Sequence, residues 1–173
     1  PGERPAAPPR AGRAGPPNRG YCRALSKRLT PRFLSSRTGL VWDPYFSGTK
    51  IEWLLKNVPG LREKAATGQA VFGTIDSWLV FRLTSGAAFV TDHTNASRTL
   101  LYNIRRHDWD ADLLKLFGVS RKSLPDIRGS SEIVGKTDPA HLGHATPIAG
   151  IAGDQQAALF GQACWKPGQA KCT

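Results

Sequence analysis

Residues 147–162, with the sequence PIAGIAGDQQAALFGQ, constrain the fold of this chain more than any other stretch. The small apolar residues 147–152 predict a buried strand, and Gly153 interrupts that run before a helix over residues 156–163. Asp154 therefore stands after the carboxyl end of a strand and before a helix. Because ligands of open α/β sheets bind at such strand ends, the stretch predicts an α/β protein with a candidate site at Asp154.

The carboxylate of Asp154 suits three roles. It can take a proton from a substrate hydroxyl, hold a metal ion, or cap the helix that follows it. The partial positive charge at the start of that helix stabilises the ionised form of the carboxylate in each role. Capping is the commonest of the three for this pattern, so the surrounding sequence has to decide between them.

The rest of the chain after residue 38 alternates short helical and extended patterns. Ile51, Leu54, Leu55 and Val58 show the spacing of one helix face, and Gly and Pro residues separate the elements. We predict helices over residues 47–58, 61–68, 74–83 and 110–117, and strands near residues 88–91 and 133–134.

The basic residues are concentrated at the start of the chain. The net charge is +11, and residues 1–38 hold nine basic side chains against one acidic side chain. Residues 1–20 have almost no large apolar side chain, so they cannot bury enough surface to offset the entropy lost on ordering. Residues 21–38 are rich in Arg and Ser. We therefore predict a disordered Pro- and Arg-rich tail over residues 1–36 and a folded domain over residues 37–173.

Three interpretations of this tail stay open. It fits an extension without function, a transit segment that targets mitochondria, or an arm that binds nucleic acid through phosphate contacts. No recognition fold or aromatic platform accompanies the charge, so nucleic acid is the least favoured partner.

The composition excludes several classes of protein. No run approaches the ~18 consecutive apolar residues of a membrane-spanning helix, so we expect no membrane span. The three cysteines, at positions 22, 164 and 172, form no Cys-x-x-Cys pair, which argues against a disulfide framework or a structural zinc site. A reducing compartment fits this cysteine usage better. The chain contains no Met, so we expect it to be a fragment, a processed form or an incomplete translation.

Five stretches, in collinear order between residues 37 and 173, resemble the glycerol kinase branch of the FGGY carbohydrate kinase family. They are RTGLVWDPYFSGTK (37–50), GTIDSWLVFRL (73–83), TDHTNASRT (91–99), LPDIRGSSE (124–132) and IAGIAGDQQAALFGQ (148–162). Five long matches with compatible spacing are more specific than a single short motif.

The resemblance implies a partial ribonuclease-H-like (actin-like ATPase) domain, the second half of the first of two α/β domains. Glycerol and Mg²⁺-ATP meet in the cleft between those domains. Asp154 matches the catalytic aspartate, which is the general base toward glycerol and lies near the Mg²⁺-bound phosphates. Gln155 matches a residue that binds glycerol hydroxyls, and Tyr45 matches a tyrosine that lines the glycerol pocket. The family assigns no catalytic role to the polar residues 94–98, which we interpret as structural packing.

The resemblance also implies what this sequence lacks. The phosphate-binding turn, an Arg-Glu pair and a tryptophan lie upstream in the family, and a Gly-Thr-Gly phosphate turn lies downstream. We can therefore assign no residue to ATP binding, and we expect the isolated fragment to be inactive and poorly soluble. An incomplete gene model, or a non-catalytic remnant carrying the basic tail, is the alternative. The family implies a cytoplasmic enzyme; mitochondrial association and a homo-oligomeric full-length protein stay open.

Overall fold

The computed structural model describes residues 19–172 of the 173-residue chain. Five short helices come first, and strands of two or three residues are interspersed with further short helices after them. The helices are α1 (Arg19–Arg28), α2 (Pro31–Thr38), α3 (Ser47–Asn57), α4 (Leu61–Thr67), α5 (Ile75–Leu83), α6 (His93–Ala96), α7 (Ala111–Phe117), α8 (Pro139–Leu142) and α9 (Asp154–Gly161), with a 3₁₀ turn at Arg121–Ser123. The strands are β1 (Val90–Asp92), β2 (Tyr102–Asn103), β3 (Asp108–Trp109), β4 (Asp126–Arg128), β5 (Gly135–Lys136) and β6 (Pro147–Ile148).

The strands of the described residues form three pairs. β1 and β4 are parallel, with Val90 opposite Asp126, whereas β2–β3 and β5–β6 are antiparallel. The parallel pair brings the carboxyl ends of β1 and β4 to one edge. The segment that leads into α9 crosses this edge, because the Ile151 N–H donates to the carbonyl of Ser130, 3.1 Å away, just after β4.

The predicted helices are confirmed, and α7 shows why. The side chain of Asp110 accepts hydrogen bonds from the N–H groups of Asp112 and Leu113, which caps the helix start. Gly118 ends the helix with φ +65°, a conformation that glycine adopts without steric cost. Between these signals, Leu113 and Phe117 lie one turn apart and are buried in the main core.

Helix α3 packs unusually close to its neighbours. The N–H of Gly48 donates to the carbonyl of Thr99 over 2.7 Å. A Cβ at Gly48 would lie 3.1 Å from that oxygen and 3.1 Å from the ring of Phe117. The absent side chain therefore allows α3 to seal the main core from this side.

The structure differs from the predicted tail where that tail is described. Residues 19–36 form α1 and most of α2, and Leu25 and Leu34 are buried in the main core. Pro31 begins α2, a position where a helix needs no N–H. The reason for the difference is the spacing of Leu25, Leu29 and Phe33, which supplies an apolar face despite the high charge. Residues 1–18 of the predicted tail lie outside the described residues.

The predicted buried strand over residues 147–152 is only partly correct. Strand geometry is limited to β6, at residues 147 and 148, and residues 149, 150 and 152 are exposed. Ile151 is buried in a second, smaller cluster with Val80 and Val90. Within residues 19–172, no strand pairs alongside residues 149–152, and Ile151 is the one residue of this segment that is buried.

Within the described residues, no helix combines the length and the apolar character that crossing a bilayer requires.

The burial of Cys22 in α1 gives a chemical test of this fold. Burial, with smaller contributions from Asp43 and Glu52, raises the pKa of the Cys22 thiol to about 11. Only about 10⁻³ of the thiol is ionised near pH 8, and the thiolate is the reactive form. We expect iodoacetamide to modify the exposed Cys172 well before Cys22, as measured by peptide mass spectrometry. Equal modification rates for Cys22 and Cys172 in the native protein would contradict the burial of Cys22. As a control, the two rates should become similar in urea.

Candidate active site

Asp154 is the first residue of α9 and lies at the protein surface. Its Oδ1 accepts a hydrogen bond from the N–H of Gln155, over 2.8 Å. No residue of α9 is buried, so side-chain packing within residues 19–172 does not hold this helix. A carboxylate that solvent reaches in the first turn of a helix is open to a substrate hydroxyl, from which it can accept a proton.

A buried carboxylate lies immediately behind this surface. Asp92, the last residue of β1, has 0% exposure. Its Oδ2 accepts from the hydroxyls of Thr94 and Ser130, both over 2.6 Å, and from the Thr94 N–H over 3.1 Å. Its Oδ1 accepts from the N–H and the side-chain amide of Asn95, over 3.0 and 2.8 Å. The buried charge is thus fully hydrogen-bonded by residues from the ends of both parallel strands.

Thr94 joins this buried carboxylate to the segment that carries Asp154. The N–H of Gly153 donates to Oγ1 of Thr94 over 2.7 Å. Gly153 is the N-cap residue of α9, with φ −63° and ψ 149°. A Cβ there would come within 2.8 Å of Gln156 Oε1 and 3.4 Å of Thr94 Oγ1. The close approach of backbone to α6 therefore favours glycine at this position.

Tyr45 lies in a different group of contacts. It is 50% exposed, just before α3, and its ring meets Phe46 edge-on with centroids 5.4 Å apart. Its carbonyl accepts from Lys50 Nζ over 2.9 Å. Phe46 in turn lies 5.1 Å below the guanidinium of Arg98, which follows α6. Tyr45 thus contacts Phe46, which lies against Arg98 just after α6, whereas Asp154 follows Gly153, which bonds to Thr94 within α6.

Gln155 points toward the last described residues. Its Oε1 accepts from Nζ of Lys171 over 3.3 Å, and the side chain is exposed. The residues that the sequence singled out, Tyr45, Asp154 and Gln155, are therefore all at the surface. Their roles stay predictions.

The cavity of about 280 Å³ beside α3 does not include these three residues. Lys50, Leu54 and Trp109 are among its lining side chains, and most of its wall is apolar. Among the described residues, no group of three or more His, Cys, Asp and Glu side chains gathers in one place. The metal role suggested for Asp154 therefore stays a prediction.

Sequence reasoning missed Asp92. The local pattern Asp-x-Thr-Asn is a typical N-cap sequence, and it could have identified Asp92 as the start of α6. The contribution of Ser130 left no local signal, because it lies 38 residues away along the chain.

The hydrogen bonds of Asp92 predict a pH dependence of stability. Burial by itself would raise the pKa of Asp92, but hydrogen bonds from Ser130, Thr94 and Asn95 outweigh it and lower the pKa. A lowered folded-state pKa contributes stability above the unfolded pKa of about 3.9, and this contribution is lost as the pH falls through the folded value.

We therefore expect Asp92→Asn to lower the free energy of unfolding near neutral pH, and the difference from the wild type to shrink below about pH 4. Urea unfolding at a series of pH values measures it. Asp126→Asn, at an exposed carboxylate, is the control. A pH-independent difference for Asp92→Asn would show that its charge is not what stabilises the fold.

Comparison with known proteins places this geometry in context. The sequence profile of the FGGY family of carbohydrate kinases, N-terminal domain, matches residues 17–161. This match begins well before Arg37, where the resemblance in the sequence motifs began. It thus includes α1 and α2.

Curated relatives include a glycerol kinase of Leptothrix cholodnii, 57% identical over 152 residues, which cover 88% of this chain and 31% of the relative. A glycerol kinase of Deinococcus radiodurans is 57% identical over 153 residues, covering 88% and 30%. The chain thus spans about a third of the length of these relatives.

Solved structures agree. A Plasmodium falciparum glycerol kinase with ADP superposes with a TM-score of 0.84 at 38% identity, covering 88% of this chain and 31% of that one. A xylulose kinase from Lactobacillus acidophilus has a TM-score of 0.71 at 23% identity, covering 82% and 29%, which shows the shared fold alone. These likenesses confirm the predicted fold class, an α/β fold that is part of a ribonuclease-H-like (actin-like ATPase) domain.

Proposed function

The chain belongs to the FGGY family of carbohydrate kinases, and we propose that it is the part of a glycerol kinase that carries the catalytic base. One observation carries the substrate assignment. Curated relatives described as glycerol kinases are 52–57% identical to this chain, and the solved glycerol kinase is 38% identical. The full protein would transfer the terminal phosphoryl group of ATP to glycerol, giving glycerol 3-phosphate and ADP.

In this proposal Asp154 is the general base. Its carboxylate takes the proton of a terminal glycerol hydroxyl while that oxygen attacks the phosphoryl group of ATP. The exposure of Asp154 and its place in the first turn of α9 support this role, since they leave the carboxylate open to a substrate.

Tyr45 and Gln155 are proposed to bind glycerol. A tyrosine offers an apolar ring face and a hydroxyl, which suits the carbon backbone and hydroxyls of a polyol. The amide of Gln155 can donate and accept hydrogen bonds. Both side chains are exposed, as a residue that contacts a substrate requires.

ATP and Mg²⁺ are the proposed cosubstrate and metal. The Plasmodium falciparum glycerol kinase structure contains ADP, which supports ATP as the phosphoryl donor. Mg²⁺ would neutralise charge on the transferring phosphates, and Asp154 is the residue of this chain proposed to lie near it.

We expect the 173 residues alone not to phosphorylate glycerol. Catalysis needs the base, a site for the phosphates and a closing second domain in one place. The chain covers only about 31% of the length of its relatives, and we propose that the other parts supply those functions.

The alternative, a non-catalytic remnant with a basic tail that binds nucleic acid or targets an organelle, has less support. The family match includes residues 17–36, and Leu25 and Leu34 are buried in the main core. The cytoplasmic location, mitochondrial association and homo-oligomeric state stay predictions.

The test of this function is a completed kinase: the Leptothrix cholodnii glycerol kinase with its matching region replaced by that of this chain. We expect it to form glycerol 3-phosphate from glycerol and ATP, and to prefer glycerol to xylulose as acceptor. The chain alone should show no turnover in the same assay. A folded completed kinase that phosphorylates xylulose but not glycerol would overturn the proposal.

A further inference from the structure

The proposed base has little besides its backbone to hold it in place. Asp154 is exposed, and α9 contributes no buried side chain within residues 19–172. The position of the carboxylate therefore depends on the peptide that precedes it. Both peptide groups that flank Gly153 are held, because the Gly153 N–H donates to Thr94 Oγ1 and the Gly153 carbonyl accepts from the Ala157 N–H over 2.8 Å.

The hydroxyl of Thr94 can accept a hydrogen bond from Gly153 only when its own proton points away from Gly153. A hydroxyl carries one proton and two lone pairs. Its proton is donated to Asp92 Oδ2 over 2.6 Å, which leaves a lone pair for the Gly153 N–H at 2.7 Å. If the Asp92 carboxylate did not accept this bond, the Thr94 hydroxyl proton could rotate toward Gly153 and the bond from the Gly153 N–H would be lost.

Asp92 reaches the same segment by a second route. Ser130 donates its hydroxyl to Asp92 Oδ2 over 2.6 Å, and its carbonyl accepts from the N–H of Ile151 over 3.1 Å. Thr94 and Ser130 thus both donate to the buried carboxylate of Asp92. They also accept hydrogen bonds from the backbone N–H groups of residues 153 and 151, just before Asp154.

We propose that Asp92 is a positioning residue for catalysis: through Thr94 and Ser130 it fixes the backbone of residues 151–153 and thereby aims the carboxylate of Asp154. This inference rests on the proposed role of Asp154 as the base. Polar residues interpreted from the sequence as structural packing thus act on the chemistry without touching substrate. A misplacement of about 1 Å in a catalytic group costs on the order of 10²-fold in rate.

The experiment uses the completed kinase with three changes. Thr94→Val removes the hydroxyl but keeps the shape of the side chain, and Thr94→Ser keeps the hydroxyl. Thr67→Val is the matched control, since the hydroxyl of Thr67 donates only within α4. Each variant is assayed for kcat and for the KM values of glycerol and ATP. Hydrogen exchange of the Gly153 amide is followed by mass spectrometry or NMR.

We expect Thr94→Val to lower kcat by about 10- to 100-fold, with KM for ATP changed by less than about twofold. Exchange of the Gly153 amide should rise by about tenfold or more. Thr94→Ser should restore most of both properties, and Thr67→Val should change neither. If Thr94→Val does not fold, Asp92→Asn takes its place with the same expected pattern.

The outcomes separate this inference from the proposed function. Unchanged Gly153 exchange in Thr94→Val overturns the positioning role. Faster exchange with unchanged kcat also overturns it, provided that Asp154→Asn lowers kcat by about 10²-fold or more. If Asp154→Asn leaves turnover intact, the proposed base is wrong, and the exchange data then show a contact that is structural only.

Discussion

Asp154→Asn in the completed kinase is expected to lower kcat for glycerol phosphorylation by about 10²- to 10⁴-fold, the usual contribution of a general base. The amide is close in size to the carboxylate, so contacts with the backbone should survive. The KM for ATP should change little, because the lost interaction is the proton transfer itself. Steady-state formation of glycerol 3-phosphate measures the effect.

Asp112→Asn is the matched control for this prediction. Asp112, like Asp154, is an exposed carboxylate in the first turn of a helix, and it pairs with Arg37 over 3.0 Å. Its replacement should change kcat by less than about twofold, since a surface ion pair contributes little to stability. Similar kcat values for the two variants would exclude Asp154 as the base.

Phe117→Ala is expected to lower the free energy of unfolding by about 3–5 kcal/mol, the range for deleting a buried aromatic side chain. Phe117 is 1% exposed, meets Trp42 edge-on with centroids 6.4 Å apart, and closes against Gly48. These neighbours belong to different segments, so we expect the cavity to collapse only in part. Urea unfolding followed by tryptophan fluorescence measures the loss.

Phe160→Ala is the control for the core prediction. Phe160 is 70% exposed in α9, and its removal should change the free energy of unfolding by less than about 0.5 kcal/mol. If both variants lose the same stability, Phe117 does not lie at the centre of the core.

Local signals explain which parts of the fold could be predicted. Helix α7 has a capping aspartate, an apolar face and a terminal glycine within nine residues, from Asp110 to Gly118. Each of these signals acts over one or two helical turns, so a short stretch of sequence is enough to predict the helix. The same holds for Asp154, which follows an apolar run and begins α9, because neighbouring residues carry both of these signals.

Contacts between distant residues explain what was missed. The charge of residues 19–36 favoured a disordered tail, but the burial of Leu25 and Leu34 depends on a core built from later segments. The strand predicted over residues 147–152 pairs with β5 only at residues 147 and 148, and the described residues provide no neighbouring strand for the rest of it. The link from Ser130 to Asp92 likewise has no counterpart in local sequence.

The hydrogen bond between Thr94 and Gly153 spans 59 residues, and this separation has a kinetic consequence. Closing a loop costs entropy before its contacts contribute stability, so contacts between distant residues form slowly. We expect short local elements, such as α7 with its caps, to form first, and the backbone before Asp154 to reach its final position after β1 and β4 have paired. We therefore expect Asp154, the proposed base, to reach its final position late in folding. Variants at Thr94 should then speed unfolding more than they slow folding.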